Sequence, residues 1–546
     1  MRLERQNISF KGAHISLNAI SDTHGCLSDV SSGYQKIKDN AKDMFLPEKR
    51  GNLNIMTIVG DWFMSGTQRG YLSNPNATSN HYQIRFFNEF ISNIRALAEN
   101  IQTFFVLGNH EFDGSVKQVK RIVSKAKTKI ICTNLDYENS PLLKKDIINK
   151  KIIKSQIIEI PDDRNLEKTH KILVLGLSPV NLSSYNQSKG IDFIDNVQKK
   201  ETMLTKKDSA KTVELFDAEI KKFKQENPNG VVILLSHCKS NIAKRIALKS
   251  GKVNLILSGH EHGNAEVKLK NTTFIELFKD FKKISNVKID IDDNGHIQIN
   301  SKNYHPEIGS KNHRNEMQRF YETIFAKDLK PLCPIHTSND FEKFDISNIR
   351  FDNNSFSDYV TNVILTKIQE IESDVDFFLM GTSAIRRELP TEKQRFVNNW
   401  DIINALNGIT PENAKIYKGE VSGRNLISII IDNSELNRLN KIRNAINAYG
   451  GLIVDKNILK AAQQGASMED LSKFITVEQT NKPIELDKIY KMAFPFRWIH
   501  KYCKIPALKE NASQLHDVNV KNLFAKYFFD LAENNAQKII YATPER

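Results

Sequence analysis

The chain has 546 residues, 40% hydrophobic and 26% charged, which excludes a disordered chain and exceeds what a single core fills, so two or more domains are expected. Its 78 Lys and Arg against 64 Asp and Glu leave a net charge of +14, spread through solvated helix faces such as Glu219–Lys224 rather than gathered into a nucleic-acid-binding stripe. Five scattered cysteines (Cys26, Cys132, Cys238, Cys333, Cys503) form neither a CxxC zinc pair nor a disulfide framework.

The N-terminal stretch MRLERQNISFKGAHISLNAISD lacks the apolar core of a secretory signal, and no later segment is apolar enough to span a bilayer. A reducing compartment, the cytoplasm, is the expected location, with signal-independent export left open.

Through residue 305 apolar runs alternate with helical patterns. The runs are HISLNAIS (14–21), LNIMTIVG (53–60), TFFVLGN (103–109), KIICTNL (129–135), KILVLGLS (171–178), VVILLSH (231–237) and VNLILSGH (253–260). The helical patterns include residues 82–98, 116–126 and 212–224. This alternation predicts a layered α/β domain with buried strands, closing with a hairpin around Asn294-Gly295. Residues 306–330 read as a polar stretch and a connecting helix. Residues 331–546 mix helices (358–371, 434–449) with strands (414–423, 482–494), a separate α+β domain.

Five of the apolar runs end in residues that bind metals or move protons: Asp22-Thr23-His24-Gly25, Gly60-Asp61, Gly108-Asn109-His110-Glu111-Phe112-Asp113, Ser236-His237 and Gly259-His260-Glu261-His262. Five of the 14 histidines sit on these strand ends. Open α/β sheets bind ligands beyond the carboxyl ends of their strands, so the five ends can converge on one site. Oxygen and imidazole donors without thiolates suit Mn, Fe or Zn, and two such ions would serve phosphoester hydrolysis. Any one of these motifs occurs by chance; the ordered set does not.

These motifs resemble those of the calcineurin-like metallophosphoesterases. GNHEFD is similar to the branch of 5′-nucleotidases, UDP-sugar hydrolases and 2′,3′-cyclic phosphodiesterases. The resemblance implies a four-layer α/β/β/α catalytic domain (1–305), a connecting helix (306–330) and a 5′-nucleotidase-like substrate-specificity domain (331–546). It implies two divalent ions (Mn, Zn, Fe, Co or Mg), one held by Asp22, His24, Asp61 and His262, the other by Asp61, Asn109, His237 and His260. It further implies that His110 is catalytic and held by Asp113.

The C-terminal half resembles the family's second domain more loosely. DVDFFLMGTSAIRREL places Arg386 at a substrate-binding position, and Phe494, Phe496 and Trp498 offer aromatic faces for a base. The family's Pro-Phe-x-Asn loop is replaced by Pro411-Glu412-Asn413-Ala414. The expected function is therefore hydrolysis of a nucleotide or related small phosphoester. Phosphodiesterase, nucleotide-sugar pyrophosphatase or nuclease activity, and a binding or effector protein on the same fold, are the alternatives. No nucleic-acid partner is expected, and oligomeric state stays open.

Overall fold

A computed structural model describes residues 12–25, 27–63, 81–113, 116–181, 190–195, 205–306, 315–324, 331–334, 355–381, 385, 396–398, 405–406, 414–438, 448–495 and 505–530. The chain divides into two compact units, with residues 12–63 and 81–324 in the first and the described residues from 331 onward in the second.

The first unit is built on two sheets. The seven-stranded sheet contains β1 (Gly12–Ile20), β2 (Asn52–Val59), β3 (Ile101–Val106), β4 (Lys129–Ile131), β5 (Ile152–Ile153), β12 (Ile284–Asp292) and β13 (Ile297–Tyr304), in the order β13-β12-β1-β2-β3-β4-β5. The six-stranded sheet contains β6 (Ser155–Pro161), β7 (Thr169–Leu177), β8 (Val231–Ser236), β9 (Leu255–Ser258), β10 (Glu266–Leu269) and β11 (Thr272–Glu276), in the order β10-β11-β9-β8-β7-β6.

Strand alternation decides which residues meet between the sheets. Ala13, Ile15, Leu17 and Ala19 of β1 pack with Leu53 and Ile55 of β2, Ile172 and Val174 of β7, Ile233 and Leu235 of β8, and Leu257 of β9. The opposite faces are covered by helices. On the second sheet, Leu175, Val232 and Leu234 pack against Phe216 and Ile220 of the helix Ala210–Glu226 and Ile242 and Ile246 of the helix Ser240–Ser250. The layers are thus α/β/β/α. Fully burying side chains of this size stabilises by about 1.5–3 kcal/mol each before conformational entropy is charged.

The helix Glu316–Ile324 rests on this unit. Asn315 hydrogen-bonds both Ser31 Oγ, at 3.2 Å, and Ser31 O, at 2.9 Å, while Lys38 pairs with Glu316 at 2.8 Å.

The second unit has a five-stranded sheet ordered Ala448–Gly450, Phe377–Met380, Ile489–Pro495, Lys415–Ser422, Ser513–Asn519. Val360 and Ile364 from the helix Ser355–Gln369 pack on one face, Leu426 and Ile430 from the helix Gly423–Arg438 on the other. This corrects the expected helix at 434–449: the observed one starts at Gly423, and Ala448–Gly450 is a strand. Among the described residues no helix is long and apolar enough to cross a membrane.

Candidate metal centre

β1, β2 and β3 run parallel in the first sheet, and β8 and β9 run parallel in the second. Each ends at the same place, where the chain must leave the sandwich. Asp22 and His24 follow β1, Asp61 follows β2, Asn109 and His110 follow β3, His237 follows β8, and His260 and His262 follow β9.

The backbone there is unusual. Asp22 (φ 53°), His24 (50°), Asp61 (53°), His260 (78°) and His262 (58°) all adopt the left-handed conformation. Asp and His are among the residue types that tolerate it, at a cost of about 1–3 kcal/mol each unless the surroundings hold them. Here they are held. Asp22 N–H donates to Gly60 O (3.1 Å), His24 N–H to Asp61 O (2.8 Å), His260 N–H to Asp22 Oδ2 (3.0 Å) and His110 N–H to Asp61 Oδ1 (2.8 Å). Two glycines make room. A Cβ on Gly60 would fall 2.1 Å from His237 Nδ1, and one on Gly108 would fall 2.2 Å from Asp61 Oδ1.

The side chains gather into two adjoining groups. Asp22, His24 and His262 bring one ligand atom each within 4.8 Å of one another, and so do Asp61, His237 and His260; His24, Asp61 and His110 form a third set of the same kind. His262 Nε2 lies 3.0 Å from Asp22 Oδ1 and His237 Nε2 lies 3.0 Å from Asp61 Oδ2. His237 Nδ1–H donates to Val59 O at 2.6 Å, which fixes the tautomer that turns Nε2 inward. Asn109 is buried and its Oδ1 has no hydrogen-bond partner among the described residues, an oxygen that a cation would satisfy. The donor set of carboxylate, amide oxygen and imidazole fits a first-row divalent ion.

The carboxylates and imidazoles hold one another's charges. Burial drives Asp22 toward neutrality, but the imidazoles of His237, His262 and His24 overcome it and hold the carboxyl well below its usual range. Asp61 is likewise lowered, against burial, chiefly by His237 and His110. Burial lowers His237, yet Asp61 and Asp22 raise it to about 10, whereas burial takes His24 down to about 3. Two buried carboxylates therefore stay ionised and stabilise positive charge between them.

His110 stands at the rim, 20% exposed, with Nε2 4.0 Å from Asp61 Oδ2. Its Nδ1 lies 2.7 Å from Asp113 Oδ2. Residues 110–112 form a 3-10 turn that carries Asp113 back under the imidazole.

Glu111 does more than an acid at a helix start would. Its fully buried carboxylate accepts from Asp61 N–H (3.0 Å), Phe63 N–H (3.0 Å) and Gly108 N–H (2.6 Å), binding the end of β2 to the end of β3. Burial pushes it up to about 7. Nothing local signals this role, because two of its three partners lie about 50 residues away.

Among the candidate substrate residues, Arg386, Phe496 and Trp498 lie outside the described residues, as does Cys26. Phe494 is a correction. Its ring is fully buried on the strand Ile489–Pro495, packed with Met492 and Leu508, and serves the core instead of offering a stacking face. Cys238 is buried beside His237.

A two-layer sheet sandwich thus gathers Asp, Asn and His at its strand ends, a donor set suited to a divalent ion. Residues 15–264, a little under half of the chain, match the model of the calcineurin-like phosphoesterase family. It is 24% identical over 251 residues to an apyrase of Tabanus yao and 27% identical over 263 residues to an apyrase of Aedes aegypti. Those matches cover 45% and 46% of this chain but only 39% and 37% of the relatives' lengths. The whole chain shares its two-domain fold with a 5′-nucleotidase precursor from Thermus thermophilus, at a TM-score of 0.62 and 13% identity, covering 95% of this chain and 97% of that one.

Proposed function

We propose that the protein hydrolyses a nucleotide or a related small phosphoester at a centre of two divalent ions. The convergence of Asp22, His24, Asp61, Asn109, His237, His260 and His262 from five strand ends carries this reading. Asp22, His24, Asp61 and His262 would hold one ion; Asp61, Asn109, His237 and His260 would hold the other. Such ions supply charge neutralisation for the phosphate and activation of the attacking water.

The chain's own groups do the rest. Asp22 and Asp61 return two negative charges, leaving a net positive site for a phosphate dianion. His110 holds its Nδ1 proton toward Asp113, and the carboxylate stabilises the imidazolium. Nε2 of that imidazolium is the group that protonates the departing oxygen.

We assign residues 1–305 to catalysis and 331–546 to substrate selection. Apyrase and 5′-nucleotidase are the names of the relatives and of the structural neighbour, which supports a nucleotide substrate. Cys132, buried with its thiol 3.3 Å from Ser178 Oγ and in no disulfide among the described residues, suits a reducing compartment, in which we place the protein.

The test is phosphate release from the nucleoside 5′-monophosphates, 2′,3′-cyclic AMP, UDP-glucose and an aryl phosphate, with added Mn(II), with EDTA, and with His110→Ala. Metal-dependent release that prefers a nucleotide and collapses in the variant supports the proposal. Release from the aryl phosphate alone moves the substrate elsewhere, and silence across the panel with no bound metal sinks it.

A further inference from the structure

The loop between β11 and β12 reaches the metal centre from outside every motif discussed so far. Asp280 (φ 56°) and Phe281 (φ 54°) are two successive non-glycine residues in the left-handed conformation. Such a pair persists only where its surroundings over-determine it.

Two anchors do so. Phe281 is buried, its ring 6.1 Å from that of Trp62 and 5.8 Å from that of Phe90, both edge-on. Gly33 leaves room for it, since a Cβ there would fall 2.0 Å from Phe281 Cδ1. The second anchor is Asp280 N–H, which donates to Asp22 O at 2.9 Å. The turn is thereby pinned to the residue after Asp61 and to Asp22 itself.

The strained backbone brings the Asp280 carboxylate to His24: Oδ1 lies 3.2 Å from Nδ1. His24 is buried, and its Nε2 lies 3.7 Å from Asp22 Oδ1 and 3.9 Å from Asp61 Oδ2. A carboxylate accepting from Nδ1–H fixes the tautomer whose Nε2 lone pair faces inward, and it raises the basicity of that nitrogen.

We propose that Asp280 is a positioning residue, which orients His24 as an ion ligand through the Nδ1 hydrogen bond. The role rests on the metal-centre reading above. Lys279 Nζ, 3.7 Å from Asp280 Oδ2, and His262, whose ring lies edge-on 5.0 Å from that of His24, are the neighbouring groups that share this corner.

The experiment is Mn(II) titration of the ion-stripped full chain by calorimetry, for wild type, Asp280→Asn and Asp280→Ala. Melting of the stripped proteins and the His24 tautomer, from long-range 1H–15N correlations, are read in parallel. Removing partners of this kind typically weakens metal binding about 10- to 100-fold. Asp280→Ala should therefore lose affinity by about that factor and lose the Nδ1–H tautomer preference. Asp280→Asn, which keeps an acceptor oxygen and tolerates the left-handed backbone, should lose less. If the alanine variant does not fold, the asparagine variant decides through the tautomer and affinity. Wild-type affinity and tautomer in the variants overturn the positioning role alone. A wild-type chain that binds no Mn(II) overturns the metal-centre reading, and this role with it.

Discussion

Replacing Glu111 with alanine tests whether one buried carboxylate holds the strand ends in register. In the native structure it accepts three backbone N–H groups, from Asp61, Phe63 and Gly108, at 3.0, 3.0 and 2.6 Å. Truncation orphans all three in a fully buried place, and a buried donor without a partner costs about 1–3 kcal/mol. A water entering the cavity would recover part of that, so the expected loss is about 3–6 kcal/mol. For a unit of this size 1 kcal/mol shifts the melting temperature by about 2–4 °C, which puts the first unit's transition about 6–24 °C lower. Glu111→Gln retains one acceptor oxygen but turns an amide toward at least one donor, and should lose about half as much. Calorimetry of the ion-stripped full chain separates this from metal effects. Melting within about 1 °C of wild type in the alanine variant would refute the argument.

Other perturbations follow from the same geometry. Asp113→Asn should lower kcat with little change in KM, because it removes the charge behind His110 at 2.7 Å; His110→Ala should lose about 10²–10⁴ in kcat, measured as initial phosphate release on the preferred substrate. Gly60→Ala, with a φ of 76° and a Cβ 2.1 Å from His237 Nδ1, should lose about 1–3 kcal/mol and weaken Mn(II) uptake, seen by melting and calorimetry. At the turn between β6 and β7, buried Asp162 accepts from Arg164 N–H, Asn165 N–H and His170 Nε2, and against burial these bonds take its pKa from 3.8 to about 2. A lowered carboxyl stabilises above its unfolded value, so about 2 kcal/mol is present above about pH 4 and is lost as pH falls toward 2. Asp162→Asn should flatten that part of the pH–stability curve, followed by urea unfolding between about pH 5 and 2.

Legibility in the sequence tracks how each element is covered. β2, β3, β8 and β9 are buried on both faces and therefore read as unbroken apolar runs. β6 and β10 are edge strands, and β10 (EVKL) has three exposed residues of four, so neither announces itself. In the second unit the run Ile429-Ile430-Ile431 reads as β-branched strand, yet it lies in a helix. Leu426, Ile427 and Ile430 face the core while Arg424 and Asn425 face solvent, and that helical period outweighs local preference.

The site shows the same division. Its candidate ligands sit beside glycines at strand ends and could be picked out by eye. The groups that hold them could not: Glu111 works across about 50 residues and Asp280 across 256. A ligand aimed back across a strand's carboxyl end needs a chain that reverses within one or two residues, and the left-handed backbone provides that. Five of the seven candidate ligands adopt it. Asp and His can hold this conformation where a β-branched residue cannot, so the chemistry of binding and the geometry of turning select the same residue types at the same positions. Left-handed Asp and His at strand ends thus mark this centre independently of GNHEFD, and Asp280 bears the same mark where no motif points to it.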